Sequence, residues 1–164
     1  MRPIITIVTF ILTIAVAPAQ SHGVNQLPLF ERAVACIKYF EGLHQAKDYP
    51  YIGYGHRIQP GEHFRLPLTR KQADALLRRD LRKLCSMFRS YGKDSLLLAT
   101  LAYNVGYGTL MGNADRPKSR LIQKIERGDR NIYYDYIRFC HYEGKAIPSI
   151  RKRRKVELLL LYQE

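Results

Sequence analysis

The sequence predicts an α+β fold that is mostly helical, with one small antiparallel sheet in its N-terminal third. Most of the chain after residue 29 places apolar residues at the three- and four-residue spacing of amphipathic helices. One segment, residues 49–66, instead combines glycine, proline and aromatic residues in the pattern of short strands and turns. The chain has 164 residues, which is the size of a single domain.

The first residues have the pattern of an export signal. Met1 and Arg2 are followed by an uncharged apolar run over residues 4–16 and by the small-residue sequence Ala17-Pro18-Ala19. A run this short falls below the roughly 20 residues that a permanent membrane anchor needs. We therefore predict a cleaved signal peptide over residues 1–19, a linker over residues 20–28 and a folded domain over residues 29–164. An uncleaved signal anchor is the alternative.

The first helix and the sheet are predicted next to each other. Apolar residues recur at helical spacing from Phe30 to Ile37 and extend the predicted helix to Glu41. Residues 51–54 and 64–66 are the strand candidates, and they lie on either side of a turn at residues 59–62. The predicted sheet is therefore a hairpin that follows the first helix directly.

The remaining elements are helices. Thr69 begins a capping box that opens a long helix, and Asp94 can cap the next helix over residues 95–105. That second helix is apolar on all sides, which predicts a place at the centre of the core. Two shorter helices follow, and the last helix covers residues 148–161. It contains a basic run at residues 151–155, whose simplest interpretation is a solvated helix face.

Charge and cysteine usage narrow the function classes. Lys and Arg number 27 against 14 Asp and Glu, a net charge of +13 that attracts polyanions such as nucleic acid, anionic lipid or cell-wall polymer. Cys36, Cys85 and Cys140 lie on or beside apolar helix stripes, so we expect small buried side chains rather than a disulfide. No C-x-x-C motif occurs and the five histidines are scattered, so no metal site is expected.

Two carboxylates suggest glycosidase chemistry. Glu41 falls on the apolar face at the C-terminal end of its predicted helix, where burial and the helix dipole both disfavour ionisation. A carboxyl group that keeps its proton is what a general acid requires. Asp48 follows in a polar stretch that favours its ionised form. Two carboxyls in unlike environments are typical of glycoside hydrolases, although Glu41 could also be a helix-end carboxylate that reaches solvent.

Five segments in order resemble the phage-type lysozymes, glycoside hydrolase family 24. They span about residues 30 to 160. The segments are Glu41-Gly42-Leu43 with Tyr51-Ile52-Gly53-Tyr54-Gly55-His56, then Leu66-Pro67-Leu68-Thr69 with Ala73 and Leu76-Leu77, then Leu101-Ala102-Tyr103-Asn104-Val105-Gly106, then Ser119-Arg120-Leu121, and finally Ile147-Pro148-Ser149-Ile150-Arg151-Lys152-Arg153-Arg154 with Glu157.

This resemblance implies a two-lobed lysozyme-like catalytic domain that needs no cofactor. It implies hydrolysis of the β-1,4 bond between N-acetylmuramic acid and N-acetylglucosamine, with Glu41 as the proton donor. Family members use an Asp and a Thr to position water and invert configuration. Here the loop after Glu41 is about five residues shorter and Tyr51 occupies the Thr position. Asp48 is the nearest carboxylate for the second role, Glu62 is the runner-up, and Tyr51 with a bound water is a further alternative.

Three more residues are predicted to bind substrate on the strength of this resemblance. The Tyr51 hydroxyl could orient the water or the substrate, or the side chain could pack in the sheet. His56 matches a motif histidine, for which we expect hydrogen bonds that hold the hairpin against the helix of Glu41. Asn104 could bond a sugar amide or cap the end of its helix.

The sequence therefore predicts an exported, monomeric and bacteriolytic muramidase that works on peptidoglycan in the periplasm or outside the cell. It predicts no stable membrane anchor after cleavage and no nucleic acid partner, and a trans-envelope apparatus could use such an enzyme. A non-catalytic peptidoglycan-binding relative is the first alternative, because of the shortened loop. A basic nucleic-acid-binding helical protein is the second, although no aromatic residues are interleaved with the basic run.

Overall fold

Seven α-helices, three 3-10 helices and two small hairpins form the regular structure of the described part of the chain, residues 23–164 of a computed structural model. The predicted signal peptide at residues 1–19 lies outside these residues. The helices are α1 (Leu29–Glu41), α2 (Arg70–Met87), α3 (Ser95–Val105), α4 (Tyr107–Met111), α5 (Arg120–Glu126), α6 (Tyr133–Ile137) and α7 (Pro148–Leu161). The strands are β1 (Tyr51–Ile52), β2 (His56–Arg57), β3 (His141–Tyr142) and β4 (Lys145–Ala146). The predicted α+β fold with mostly helical content is confirmed.

Helix α3 lies at the centre of the core, as its composition predicts. Leu97, Leu98 and Leu101 are fully buried, and α1, α2 and α7 all pack against this helix. A helix that is apolar on every side can satisfy all its faces only when other helices surround it. The end of α3 therefore has a fixed position relative to α1 and α7, which carry the site described below.

The first hairpin is shorter than predicted. Strand β1 pairs with β2 in antiparallel register, and Ile52 lies opposite His56. The prediction of a strand at residues 64–66 is wrong, because the chain reverses much earlier. Gly53 and Gly55 both adopt positive φ, +57° and +95°, which lets the backbone turn immediately after β1.

The second hairpin is absent from the sequence prediction. Strands β3 and β4 pair around Glu143 and Gly144, both of which have positive φ. All four strand residues are exposed, so no alternation of apolar and polar residues marks them in the sequence. Residues 23–164 therefore contain two small sheets, where the sequence predicts one.

One of the two predicted helix caps is confirmed. The Thr69 hydroxyl accepts the Gln72 N–H at 3.2 Å, and the Gln72 side chain accepts the Thr69 N–H at 2.9 Å. The predicted cap at Asp94 is wrong. Its carboxylate instead accepts two hydrogen bonds from the Arg130 guanidinium, at 2.5 and 3.0 Å. A guanidinium is a forked, charged donor and binds a carboxylate more strongly than a backbone N–H does. The Asp94 carboxylate is therefore bound by a distant residue, Arg130.

The basic run in α7 is only partly a solvated face. Arg151, Lys152 and Lys155 are exposed, but Arg153 and Arg154 are buried, with 5% and 0% of their surface exposed. Helix α7 packs against α1 and α3 along the side that carries these two arginines and Glu157. The prediction of a solvated face is therefore wrong for two of the five residues.

The described part of the predicted linker contacts the domain. A short 3-10 helix, Val24–Gln26, precedes α1. The Arg32 guanidinium donates to the carbonyl oxygens of Asn25 at 2.6 Å and Leu27 at 2.8 Å. These bonds attach residues 25–27 to the first turn of α1.

The three cysteines are free thiols. Cys36 and Cys140 are buried, as small apolar side chains would be, and Cys85 is half-buried. Burial raises the pKa of the Cys36 thiol to about 12. Across residues 23–164 no helix is long and apolar enough to cross a membrane, and no group of His, Cys, Asp and Glu is arranged to hold a metal ion.

Candidate active site

Helix α1 brings Glu41 to the edge of the core. Ala33, Val34 and Ile37 bury the apolar face of the helix, and Glu41 comes one turn after Ile37 on that same face. Gly42 then ends the helix with φ of +66°. The Glu41 side chain is 19% exposed, so its carboxyl group is largely enclosed and still reachable by solvent.

An arginine from the far end of the chain holds this carboxyl group. Glu41 Oε1 accepts a hydrogen bond from Arg153 Nη1 at 2.6 Å. Burial opposes the charged form of Arg153, but Glu157 and Glu41 outweigh that effect and raise the pKa of the guanidinium. Sequence reasoning missed Arg153 because it treated the basic run as exposed. The available signal was the spacing of Arg153 and Glu157, one helical turn apart.

The turn of the first hairpin covers the other side of Glu41. A Cβ atom added to Gly55 would lie 3.2 Å from Glu41 Cδ and 3.3 Å from Oε2. The Tyr103 hydroxyl of α3 donates to the Tyr54 carbonyl oxygen at 3.0 Å and so fixes this turn. The Glu41 carboxyl group is thus enclosed between an arginine and a stretch of glycine backbone.

A cleft of about 820 Å³ opens beside Gly55, between the first hairpin, α2 and the end of α3. All three residues predicted to bind substrate line it, Tyr51 and His56 from the first hairpin and Asn104 from α3. The charged residues along the cleft are Arg57, Glu62, Arg79, Asp80 and Lys83. The apolar part of its wall consists of Leu84, Met87, Ala102, Tyr103 and Tyr107.

Comparison with known proteins identifies the family of the chain that forms this cleft. The family model described as Phage lysozyme matches residues 38–157, which is more than half of the chain. The chain belongs to the phage lysozyme family. A search of curated proteins found no match. The matched range contains Glu41, both walls of the cleft and Arg153, and membership indicates a glycoside hydrolase that acts on peptidoglycan.

In this member of the phage lysozyme family, His56 braces one wall of the cleft. Its ring is 8% exposed, with Nδ1 2.6 Å from Asp80 Oδ2 and Nε2 2.7 Å from Glu62 Oε2. Both ring nitrogens face carboxylate oxygens, so the ring connects Glu62 to Asp80. The sequence predicted that His56 holds the hairpin against α1. The structure places the partner Asp80 on α2 instead.

Glu62, the runner-up for the second catalytic carboxylate, is held by several donors. It accepts the Gln59 N–H at 2.9 Å and an Arg79 N–H at 3.0 Å, besides its contact with His56. The hydrogen bond from the Gln59 backbone has the largest effect on the pKa of Glu62, and the hydrogen bond from His56 has the next largest. These bonds lower the pKa of Glu62 to about 2. Glu62 is therefore ionised at neutral pH on the cleft wall.

Asp48 occupies a local structural position. It ends the 3-10 helix Ala46–Asp48, and its Oδ2 accepts the Gln45 N–H at 2.7 Å in a capping box. It is half-buried, and it lies outside the set of residues that line the cleft. The catalytic role of Asp48 stays a prediction.

Tyr51 and Asn104 both present polar groups to the cleft. Tyr51 is 44% exposed and lies between the cleft and a smaller pocket of about 290 Å³, where its ring is 6.1 Å from the ring of His44. Asn104 is exposed, and its side-chain oxygen accepts a hydrogen bond from Arg154. The amide nitrogen of Asn104 is then the group that it can offer to a ligand.

Proposed function

We propose that this protein is an exported muramidase, which hydrolyses the β-1,4 bond between N-acetylmuramic acid and N-acetylglucosamine in peptidoglycan. The observation that carries the proposal is the setting of Glu41. Its carboxyl group is largely enclosed, contacts Arg153 at 2.6 Å, and lies against Gly55, which lines a cleft of about 820 Å³. Membership in the phage lysozyme family supports the same chemistry.

Glu41 acts in this mechanism as the general acid. It gives its proton to the glycosidic oxygen as the bond breaks, and the sugar acquires positive charge. Proton transfer leaves a carboxylate on Glu41. Arg153 stabilises that carboxylate through the hydrogen bond at Oε1, which favours release of the proton. A water molecule attacks the sugar carbon and gives up a proton to the group that activates it.

The substitution Glu41→Gln tests this role. We expect the rate of clearing of cell-wall suspensions to fall by about 10²–10⁴-fold, because Gln has no proton of suitable acidity to donate. Glu143→Gln, an exposed position in the second hairpin, is the matched control and should keep full activity. New reducing ends on muramic acid, identified by mass spectrometry, would establish which bond is cleaved.

Two outcomes would contradict the proposal. More than about a tenth of the wild-type rate in Glu41→Gln would remove Glu41 as the general acid. Wild-type protein that binds purified sacculi and releases no reducing ends would instead identify a non-catalytic peptidoglycan-binding relative.

Asp48 is our proposal for the group that activates the water. Its support is its position in the chain, seven residues after Glu41, with no other Asp or Glu before Glu62. Asp48→Asn keeps an oxygen that can accept the Gln45 N–H, so the 3-10 helix should survive. We expect turnover to fall by orders of magnitude. A near-normal rate would transfer the role to Tyr51 with a bound water, which Tyr51→Phe would then test.

The remaining roles concern the glycan and the compartment. Tyr51, His56 and Asn104 are proposed to line the bound glycan, because all three border the cleft. We propose a monomer without nucleic acid partners, exported after cleavage near Ala19 and able to open the wall for a trans-envelope apparatus. Mass spectrometry of the exported protein would show whether its N-terminus is near Gln20. An intact N-terminus in the membrane fraction would support the anchor instead.

A further inference from the structure

A buried carboxylate on α7 has no surface through which it could touch substrate. Glu157 of α7 is 0% exposed, and the two arginines beside it are 5% exposed at Arg153 and 0% at Arg154. Burying several charged side chains costs free energy, and apolar side chains of similar volume often give equal or greater stability. Stability alone therefore gives no reason for this arrangement.

Glu157 uses both of its carboxylate oxygens. Oε1 accepts a hydrogen bond from Arg153 Nε at 2.8 Å. Oε2 accepts one from Arg154 Nη1 at 2.5 Å and another from the Tyr136 hydroxyl at 3.0 Å. Each arginine is therefore oriented by a different oxygen of the same carboxylate.

Each arginine then continues to a different residue: Glu41, which lies against Gly55 of the cleft lining, and Asn104, which lines the cleft. Arg153 uses its Nη1 atom to hold Glu41 Oε1 at 2.6 Å. Arg154 uses its Nη2 atom to hold the side-chain oxygen of Asn104. Glu41 comes from α1 and Asn104 from α3, so the two connections that start at Glu157 reach two separate helices.

We propose that Glu157 is a positioning residue for glycan hydrolysis. One carboxylate orients two guanidinium groups, and these hold the proton donor and a glycan-binding amide in a fixed relation to each other. A misplacement of about 1 Å at such groups can cost about a hundredfold in rate. The inference rests on the proposed function, because it assigns Glu157 to the same cleft.

The charge of Glu157 matters as much as its shape. Each guanidinium presents N–H donors only, so two acceptor oxygens are needed to hold both. In Glu157→Gln one oxygen becomes an NH₂ group that faces a donor, and one negative charge is lost. Arg153 then acts on Glu41 without the competing carboxylate. The arginine that faces this NH₂ group loses its acceptor, so its contact with Glu41 or Asn104 is no longer fixed in direction.

The first test compares Glu157→Gln with Tyr136→Phe, a matched control that removes a hydrogen bond to the same carboxylate and leaves its charge. We expect Glu157→Gln to lower kcat at least tenfold, because Glu41 and Asn104 lose their fixed relation. Tyr136→Phe keeps both carboxylate oxygens of Glu157 and should lower kcat much less. Glu157→Gln with kcat within about twofold of wild type would overturn the proposal.

A second variant keeps the proposal testable if Glu157→Gln does not fold. Arg154→Lys keeps the charge, but a single ammonium group is not the planar fork that spans Glu157 and Asn104. We expect KM to rise at least threefold, with a smaller change in kcat. A folded Arg154→Lys with wild-type KM and kcat would contradict the proposal.

A readout without activity separates this inference from the proposed function. The side-chain amide signals of Asn104 in nitrogen-15 NMR spectra should move in Glu157→Gln and in Arg154→Lys, and stay in place in Tyr136→Phe. Inactive wild-type protein with this pattern would refute the proposed muramidase and support the connection from Glu157 to the cleft. If the wild-type protein is active but the Asn104 signals stay in place in both Glu157→Gln and Arg154→Lys, the connection from Glu157 to the cleft is refuted. The proposed muramidase is then unaffected.

Discussion

Gly55 shows how a single missing side chain shapes the site. Its φ of +95° is a conformation that side chains rarely adopt, and an added Cβ atom would lie 3.2 Å from Glu41 Cδ. The residue therefore satisfies two conditions, one for the turn and one for the close approach of the backbone to the carboxyl group. The position of Glu41 depends on both.

The substitution Gly55→Ala should consequently impair catalysis as well as stability. We expect kcat to fall at least tenfold, because the new methyl group displaces the Glu41 carboxyl group. Gly128→Ala is the matched control. Its φ of +75° imposes similar backbone strain, but the space around it is open. Equal loss of activity in the two variants would contradict the role assigned to Gly55.

The lowered pKa of Glu62 predicts that the stability of the folded protein depends on pH. Its pKa is lowered from 4.5 to about 2 in the folded protein, chiefly by the hydrogen bonds from Gln59 and His56. A group whose pKa is lower when folded stabilises the protein above its unfolded value. This contribution is fully present above about 4.5 and is lost as the pH falls towards about 2.

Thermal melts of wild type and Glu62→Gln between pH 7 and pH 2 would test this. We expect the variant to melt at a lower temperature at pH 6, and the difference to shrink as the pH approaches 2. Glu143→Gln, at an exposed position in the second hairpin, should follow the wild type throughout. A melting difference of the same size at every pH would show that Glu62 contributes through something other than its charge.

At the scale of elements, α2 depends on a local start signal. The capping box of Thr69 and Gln72 satisfies backbone N–H groups at the first turn, where α-helices have no internal partners. Helix α2 carries Arg79 and Asp80 of the cleft wall, about three turns further along. The cap therefore supports the helix without touching the site.

Removal of the cap should cost stability and spare activity. We expect Thr69→Ala to lower the free energy of unfolding by about 1 kcal/mol, measured by urea denaturation. Thr69→Ser retains the accepting hydroxyl and should stay close to wild type. An unchanged unfolding free energy in Thr69→Ala would mean that packing alone sets the start of α2.

At the scale of the whole molecule, the net charge of +13 should govern attachment to the cell wall. Raising the ionic strength from about 0.1 M to about 1 M shortens the electrostatic screening length from about 10 Å to about 3 Å. We expect the fraction that sediments with purified sacculi to fall steeply over this range. Sacculi whose carboxyl groups have been converted to amides should bind weakly at every salt concentration. Salt-independent binding would point to recognition through the cleft alone.

The sequence alone was sufficient for features whose signal is local. The helical spacing up to Glu41, the apolar helix over residues 95–105 and the Thr69 capping box each depend on residues within a few positions of one another, and all three are present in the structure. The same holds for Glu41 as a candidate, because its register on one helix face and its helix-end position are both short-range properties. Local periodicity and capping are physical consequences of backbone geometry.

Which polar groups meet depends on how helices that are distant in the chain pack together. Arg153 lies 112 positions from Glu41 in the chain, and its burial depends on α7 packing against α1. The side chain of Asp94 was expected to cap its own helix and instead pairs with Arg130, 36 positions away. The packing of whole helices determines which charged groups a long side chain can reach. A local sequence pattern does not contain this information.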